Sequence, residues 1–172
     1  SHVFASTGPF NVSLTATNFW GCTNTAAKNV NTIYAEPQAA FVAPAQVCVG
    51  SPANFTDQST VIGSTVTQWL WNFGDATTST SPNPVKNYTV AGTYTVTLTI
   101  KSAVGCTSTA ATRTLVVNAL PTASFNASTP ACATRDITFT DASSPNSGSL
   151  VKWTWNFGDG NTSNLLQPSH VY

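Results

Sequence analysis

The chain has 172 residues; 7% are charged and the formal net charge at pH 7 is zero. Globular domains usually carry about 25% charge, so this surface cannot hold nucleic acid or an anionic membrane electrostatically. No apolar run approaches the ~20 residues that span a bilayer.

From the N-terminus, Phe10-Asn11-Val12-Ser13-Leu14-Thr15-Ala16 alternates apolar and polar residues at a period of two, the pattern of a half-buried strand. The same reading predicts seven strands, near Gln38–Ala43, Ala45–Cys48, Ala53–Asp57, Thr67–Phe73, Val85–Tyr88, Thr93–Lys101 and Thr107–Val117. In the sixth, Tyr94, Val96, Leu98 and Ile100 share one face and Thr fills the other, a β-branched polar face that suits a strand. Turn signals separate the strands at Gly50-Ser51-Pro52, Gly74-Asp75, Ser81-Pro82-Asn83-Pro84, Ala91-Gly92 and Gly105. No window carries helical spacing. The expectation is an all-β chain built from two-sheet, immunoglobulin-like sandwiches.

These elements recur every 84 residues. Trp69-Leu70-Trp71-Asn72-Phe73-Gly74-Asp75 returns as Trp153-Thr154-Trp155-Asn156-Phe157-Gly158-Asp159, Cys22 as Cys106, Cys48 as Cys132, and Pro37 as Pro121. Ser1-His2-Val3-Phe4 returns two periods later as Ser169-His170-Val171-Tyr172. A long repeat in strict register reads as a tandem array of small domains. The expected organisation is the second half of one repeat at 1–34, an intact repeat at 35–118 and the first half of another at 119–172, cut from something longer. Short links at Pro37 and Pro121 predict stiff stacking of successive domains.

The motifs Trp71-Asn72-Phe73-Gly74-Asp75 and Trp155-Asn156-Phe157-Gly158-Asp159-Gly160 resemble the W-D-F-G-D-G signature of PKD (polycystic kidney disease) domains. Phe55-Thr56-Asp57, Pro168-Ser169-His170-Val171-Tyr172 and Gly92-Thr93-Tyr94-Thr95-Val96-Thr97-Leu98 match further segments of that pattern. Asn72 and Asn156 replace its first Asp, Ala76 replaces one Gly, and Lys86 stands where His2 and His170 stand. The resemblance implies an extracellular β-sandwich used as a spacer or interaction module. Arrays with cysteines placed as here resemble the large secreted surface adhesins of gliding and biofilm-forming Bacteroidota.

Repeated Asp57/Asp141 and Asp75/Asp159 read as acceptors for turn N–H groups rather than as a catalytic carboxylate pair. Calcium fits less well, because Asp159-Gly160-Asn161 becomes Asp75-Ala76-Thr77 and loses a side-chain oxygen. Histidine does not recur in every repeat, and no Ser–His–Asp or Cys–His arrangement does. No enzyme, metal or cofactor site is therefore expected. Trp69, Trp71 and Phe73, with Trp153, Trp155 and Phe157, read as core; Trp20, in a hairpin loop, reads as an interface residue.

Four Cys in register, abundant Thr and no Met fit an oxidising, secreted setting. Three states stay open for the cysteines. Cys48 can be stapled to the upper cysteine of the following repeat, which in head-to-tail copies pairs Cys48 with Cys22 and Cys132 with Cys106 of the next copy. Cys48 and Cys106 can bond internally, or all four can be free thiols. The expected function is structural: a segment of an extracellular filament or adhesin stalk, partnered with itself. The alternative is an accessory module of a secreted enzyme, holding polysaccharide or a host or cell-surface protein.

Overall fold

The computed structural model describes residues 7–31, 33–128 and 135–172. Ser1, His2, Val3, Phe4 and Cys132 lie outside the described residues. Every regular element described is a strand: β1 Phe10–Thr17, β2 Thr23–Val30, β3 Phe41–Val42, β4 Gln46–Cys48, β5 Pro52–Asn54, β6 Thr56–Asp57, β7 Val66–Asn72 and β8 Thr78–Ser79. There follow β9 Val85–Asn87, β10 Gly92–Ser102, β11 Ala111–Asn118, β12 Phe125–Ala127, β13 Asp136–Asp141, β14 Trp155–Asn156, β15 Thr162–Ser163 and β16 Ser169–Val171. The chain divides into two compact units. One takes Ala53–Lys86, Tyr94–Leu115 and the residues before Gln46; the other takes Gln46–Pro52, Asn87–Thr93 and Val116–Tyr172.

One sheet has the order β4-β11-β10-β7-β8, and the short ladders β3–β6 and β5–β9 supply the second layer of an immunoglobulin-like sandwich. Alternation sets its core: Val96, Leu98 and Ile100 of β10 are buried with Leu115, while Thr97 and Thr99 between them are only half-buried. Trp71 is fully buried, with ring centroids 5.0 Å from Phe41 and 5.7 Å from Phe55. Two elements differ from expectation. Ala53–Asp57 is two strands, because Phe55 N–H donates to Pro84 O at 3.0 Å while Thr56 and Asp57 pair with Val42 and Phe41. Thr78–Ser79, too short to show a period, pairs with Asn72 and Trp71.

In the first unit, β1 and β2 form a hairpin in register from Phe10↔Val30 to Thr17↔Thr23. Asn18 shapes its turn by accepting the Trp20 and Cys22 N–H groups, each at 3.0 Å. The hairpin's apolar residues are open to solvent: Leu14 is 70% exposed, Phe19 94% and Trp20 82%.

In the second unit, β12-β13-β16 form one small sheet and β14–β15 another. The counterpart of seven-residue β7 is reduced here to Trp155–Asn156. Phe139 lies 5.8 Å from Trp155 and 5.4 Å from Phe157, repeating the aromatic cluster of the first unit. Its burial is incomplete. Trp155, expected in a core, is half-buried, and Phe125 is 58% exposed where its counterpart Phe41 is 2%. The physical reason is that β14 pairs with β15 alone, whereas β7 is flanked by both β8 and β10.

Candidate functional site

The signature residues build the same turn twice. Asn72 Oδ1 accepts Gly74 N–H at 2.9 Å, and Asn156 Oδ1 accepts Gly158 N–H at 2.9 Å. An amide oxygen thus does what the signature's carboxylate oxygen would do. Asp75 Oδ1 accepts Thr77 N–H at 3.1 Å, and Asp159 Oδ1 accepts Asn161 N–H at 3.0 Å. Asp57 and Asp141 do the same for the Ser59 and Ser143 N–H groups, each at 3.0 Å, and their Oδ2 atoms also accept Trp69 and Trp153 Nε1–H at 2.7 and 3.0 Å. Trp71 and Trp155 Nε1–H groups donate to Ser81 O and Leu165 O, each at 2.8 Å.

The structure brings together a pair that sequence reasoning missed. Lys86 Nζ lies 2.8 Å from Asp75 Oδ2, and His170 Nε2 lies 2.7 Å from Asp159 Oδ2. Lys86 sits over the Phe73 ring at 5.8 Å, and His170 stacks on Phe157 at 4.2 Å. A cationic or imidazole group, an Asp and a Phe ring therefore recur together. The signal is the shared 84-residue offset of Lys86 and His170: the imidazole is not shared between repeats, but a group that can pair with the Asp is.

These contacts hold the carboxylates ionised. For Asp159, the Asn161 backbone N–H bond is the leading cause, followed by the His170 bond, and its pKa is lowered to about 2. For Asp75, partial burial pushes upward, but the Lys86 bond, the Thr77 bonds and the Lys86 charge together leave it lowered. Asp141 is lowered by its Ser143 bonds first and by Trp153 less. This is turn-locking chemistry. Among the described residues, no group of three or more His, Cys, Asp or Glu side chains converges as a metal site.

Cys22, Cys48 and Cys106 carry free thiols. The internal Cys48–Cys106 bond is not made. Cys48 is in register with Asn118, the last residue of β11, whereas Cys106 sits in the turn before that strand, its N–H bonded to Ser102 Oγ at 3.1 Å.

Each unit also carries a concave surface. In the first unit, an open shelf of about 600 Å³ runs over Thr67–Leu70, Thr99–Lys101, Thr80 and Thr107. Leu70 is 54% exposed among these polar neighbours. In the second unit, an aromatic cleft of about 510 Å³ is lined by Phe125, Phe139, Trp153, Trp155, Phe157 and Tyr172.

The chain is similar to segments of known proteins. The Vibrio cholerae pre-pro-metalloprotease PrtV is 36% identical over 98 residues, 55% of this chain and 10% of that protein. A microbial collagenase of Vibrio alginolyticus is 36% identical over 85 residues, 49% of this chain and 10% of that protein. The chain spans a tenth or less of the length of the curated relatives it matches. Among solved structures, the PKD1 domain of PrtV is 31% identical, covering 48% of this chain and 98% of that one, with a TM-score of 0.44. The PKD domain family itself matches residues 34–117 and again 118–172. Twin signature turns at a fixed register, on an immunoglobulin-like sandwich, are thus those of the PKD domain family, to which this chain belongs.

Proposed function

We propose that the chain is a non-catalytic accessory segment of a secreted enzyme, acting outside the cell by holding a protein substrate near a catalytic domain. The observation that carries this is its 36% identity, over 85 and 98 residues, to segments of a collagenase and a metalloprotease. The shelf of the intact repeat fits the task. It is open, and it offers Thr and Gln hydroxyl and amide groups beside one exposed Leu and one half-buried Trp. An extended peptide can use such a surface through mixed apolar and hydrogen-bonding contacts.

Co-sedimentation of the 172-residue chain with insoluble collagen tests this. Retention on collagen is expected, with Leu70→Asp weakening it roughly tenfold. Retention on insoluble polysaccharide but not on collagen would move the reading to the carbohydrate-holding form of the same module. Retention on neither would reject it.

A second reading, a stalk or filament segment built from repeats at 1–34, 35–118 and 119–172, is supported by contiguity. The family's two matches follow one another with no residue between them. Electron microscopy separates the readings: long polymers belong to the stalk, compact particles to the module.

A further inference from the structure

In the intact repeat, the outer edge of β7 is left open by a hydrogen bond that ends its neighbour. Phe73 N–H donates to Thr77 O at 3.1 Å, and β8 then pairs with Asn72 and Trp71. After Ser79 the chain turns away, because Ser81 O accepts Trp71 Nε1–H at 2.8 Å. The same indole bond, from Trp155 to Leu165 O at 2.8 Å, follows the two-residue β15 of the second unit. Successive backbone groups of a strand bond to alternate sides. Trp69 therefore turns its N–H and C=O to the same side as Trp71 and Phe73, and no strand of the sheet pairs with it there.

This edge is held ready. Trp69 and Leu70 are in register with Ile100 and Thr99 of β10 on the other side, and the Trp69 indole is tied to Asp57 Oδ2 at 2.7 Å. An added strand meets an ordered partner, so little conformational entropy is lost on the protein's side. The regular edge ends at Gln68, since a bulge shifts the register between Lys101 and Ser102. The open shelf lies on the same residues, with Gln68 and Leu70 of β7 beside Thr99 and Lys101 of β10.

The charges of the repeat say what fits. Glu36 accepts Thr109 N–H, Asp57 accepts Ser59 N–H and the Trp69 indole, Asp75 pairs with Lys86, and Arg113 donates to Phe41 O. Lys101 is exposed, and of the charged side chains in 35–118, all described, it is the one whose charged group makes no hydrogen bond or ion pair. The shelf thus offers a cation with no counter-charge of its own.

We infer that this edge and shelf take an extended, acidic peptide segment by strand addition. The segment runs antiparallel to β7, in line with β8. One of its residues exchanges both main-chain bonds with Trp69. The residue before it packs on Leu70, and the residue after it, facing Gln68, is acidic and answers Lys101 one strand further in. Main-chain pairing supplies affinity and the alternate side chains supply selection. A second copy of this chain is a poorer occupant, because the acidic groups of its own repeat are already engaged. The inference rests on the shelf as a peptide-holding surface, not on collagen as what is held.

Titration of the isotopically labelled 172-residue chain with acetyl-Thr-Val-Thr-Glu-Thr-amide, read from amide NMR shifts, tests it. Saturable shifts are expected at Gln68, Trp69, Leu70 and Lys101, with a Kd of about 0.1–1 mM. Methylating the nitrogen of the central Thr removes its bond to Trp69 O and should weaken binding at least about tenfold. Methylating the Glu nitrogen, which points away from the edge, should change it by less than about twofold. Changing the peptide's Glu to Gln should weaken binding by up to about fivefold in the unaltered chain and not at all in Lys101→Ala. No shifts at these residues up to about 5 mM peptide, equal effects of the two methylations, or an undiminished Glu-to-Gln loss in Lys101→Ala would each overturn the proposal. The methylation comparison uses unaltered protein, so it decides the matter should Lys101→Ala fail to fold. Retention on collagen without peptide shifts would overturn strand addition and leave the accessory reading standing. Peptide shifts without retention on collagen would uphold strand addition and count against that reading.

Discussion

Replacing Gly74 by Ala isolates the close approach between the signature turn and its central strand. Gly74 has φ +79°, a conformation in which a Cβ costs about 1–2 kcal/mol. That Cβ would also lie 2.7 Å from Thr95 O and 3.0 Å from Thr95 N. Those are backbone atoms of β10, hydrogen-bonded into a five-stranded sheet, so they cannot rotate away as a side-chain tip would. Forcing them aside adds about 1–3 kcal/mol, as overpacking does elsewhere. The expected loss is roughly 2–5 kcal/mol, against ~5–15 for a whole domain. Gly158→Ala shares the left-handed backbone, at φ +88°, but has no neighbour within 4 Å, so in the monomer it should cost only the conformational part of about 1–2 kcal/mol. Hydrogen exchange read by mass spectrometry reports each repeat separately. Amides of β7 and β10 should exchange roughly 30- to 4,000-fold faster in Gly74→Ala. Equal effects of the two substitutions on their own repeats would refute the argument, because the strand contact would then contribute nothing.

Trp71→Ala removes a fully buried indole and should cost about 3–5 kcal/mol in the same exchange measurement; a loss below about 1 kcal/mol would mean that the core collapses around the gap. Asp159 has its pKa lowered to about 2, so the stability it contributes is present above the ordinary carboxylate value of 3.8 and is lost as pH falls through about 2. His170→Ala removes one lowering cause and should move that loss to higher pH. Carboxylate carbon shifts in an acid titration would show it, and an Asp159 midpoint unmoved by the substitution would count against the pairing.

Much of this protein is legible in one dimension. Alternation at a period of two places Val96, Leu98 and Ile100 inward because a strand turns its side chains to opposite faces whatever surrounds it. The expected strand at Thr93–Lys101 falls within Gly92–Ser102 for that reason. The signature turns were legible too, since each is closed by residues two to four positions apart in sequence. What the sequence could not supply was anything set by distant pairing. Ala53–Asp57 splits because Phe55 answers to Pro84 while its neighbours answer to Phe41 and Val42. Lys86 and His170 look unlike each other, yet both meet an Asp eleven residues earlier across a turn. The two tryptophans of one motif differ most plainly. Trp71 and Trp155 stand in the same motif, differing only at Leu70 against Thr154, but one is sealed and the other half-open. Burial belongs to the strand that lies alongside, and only the tertiary structure shows which strand that is.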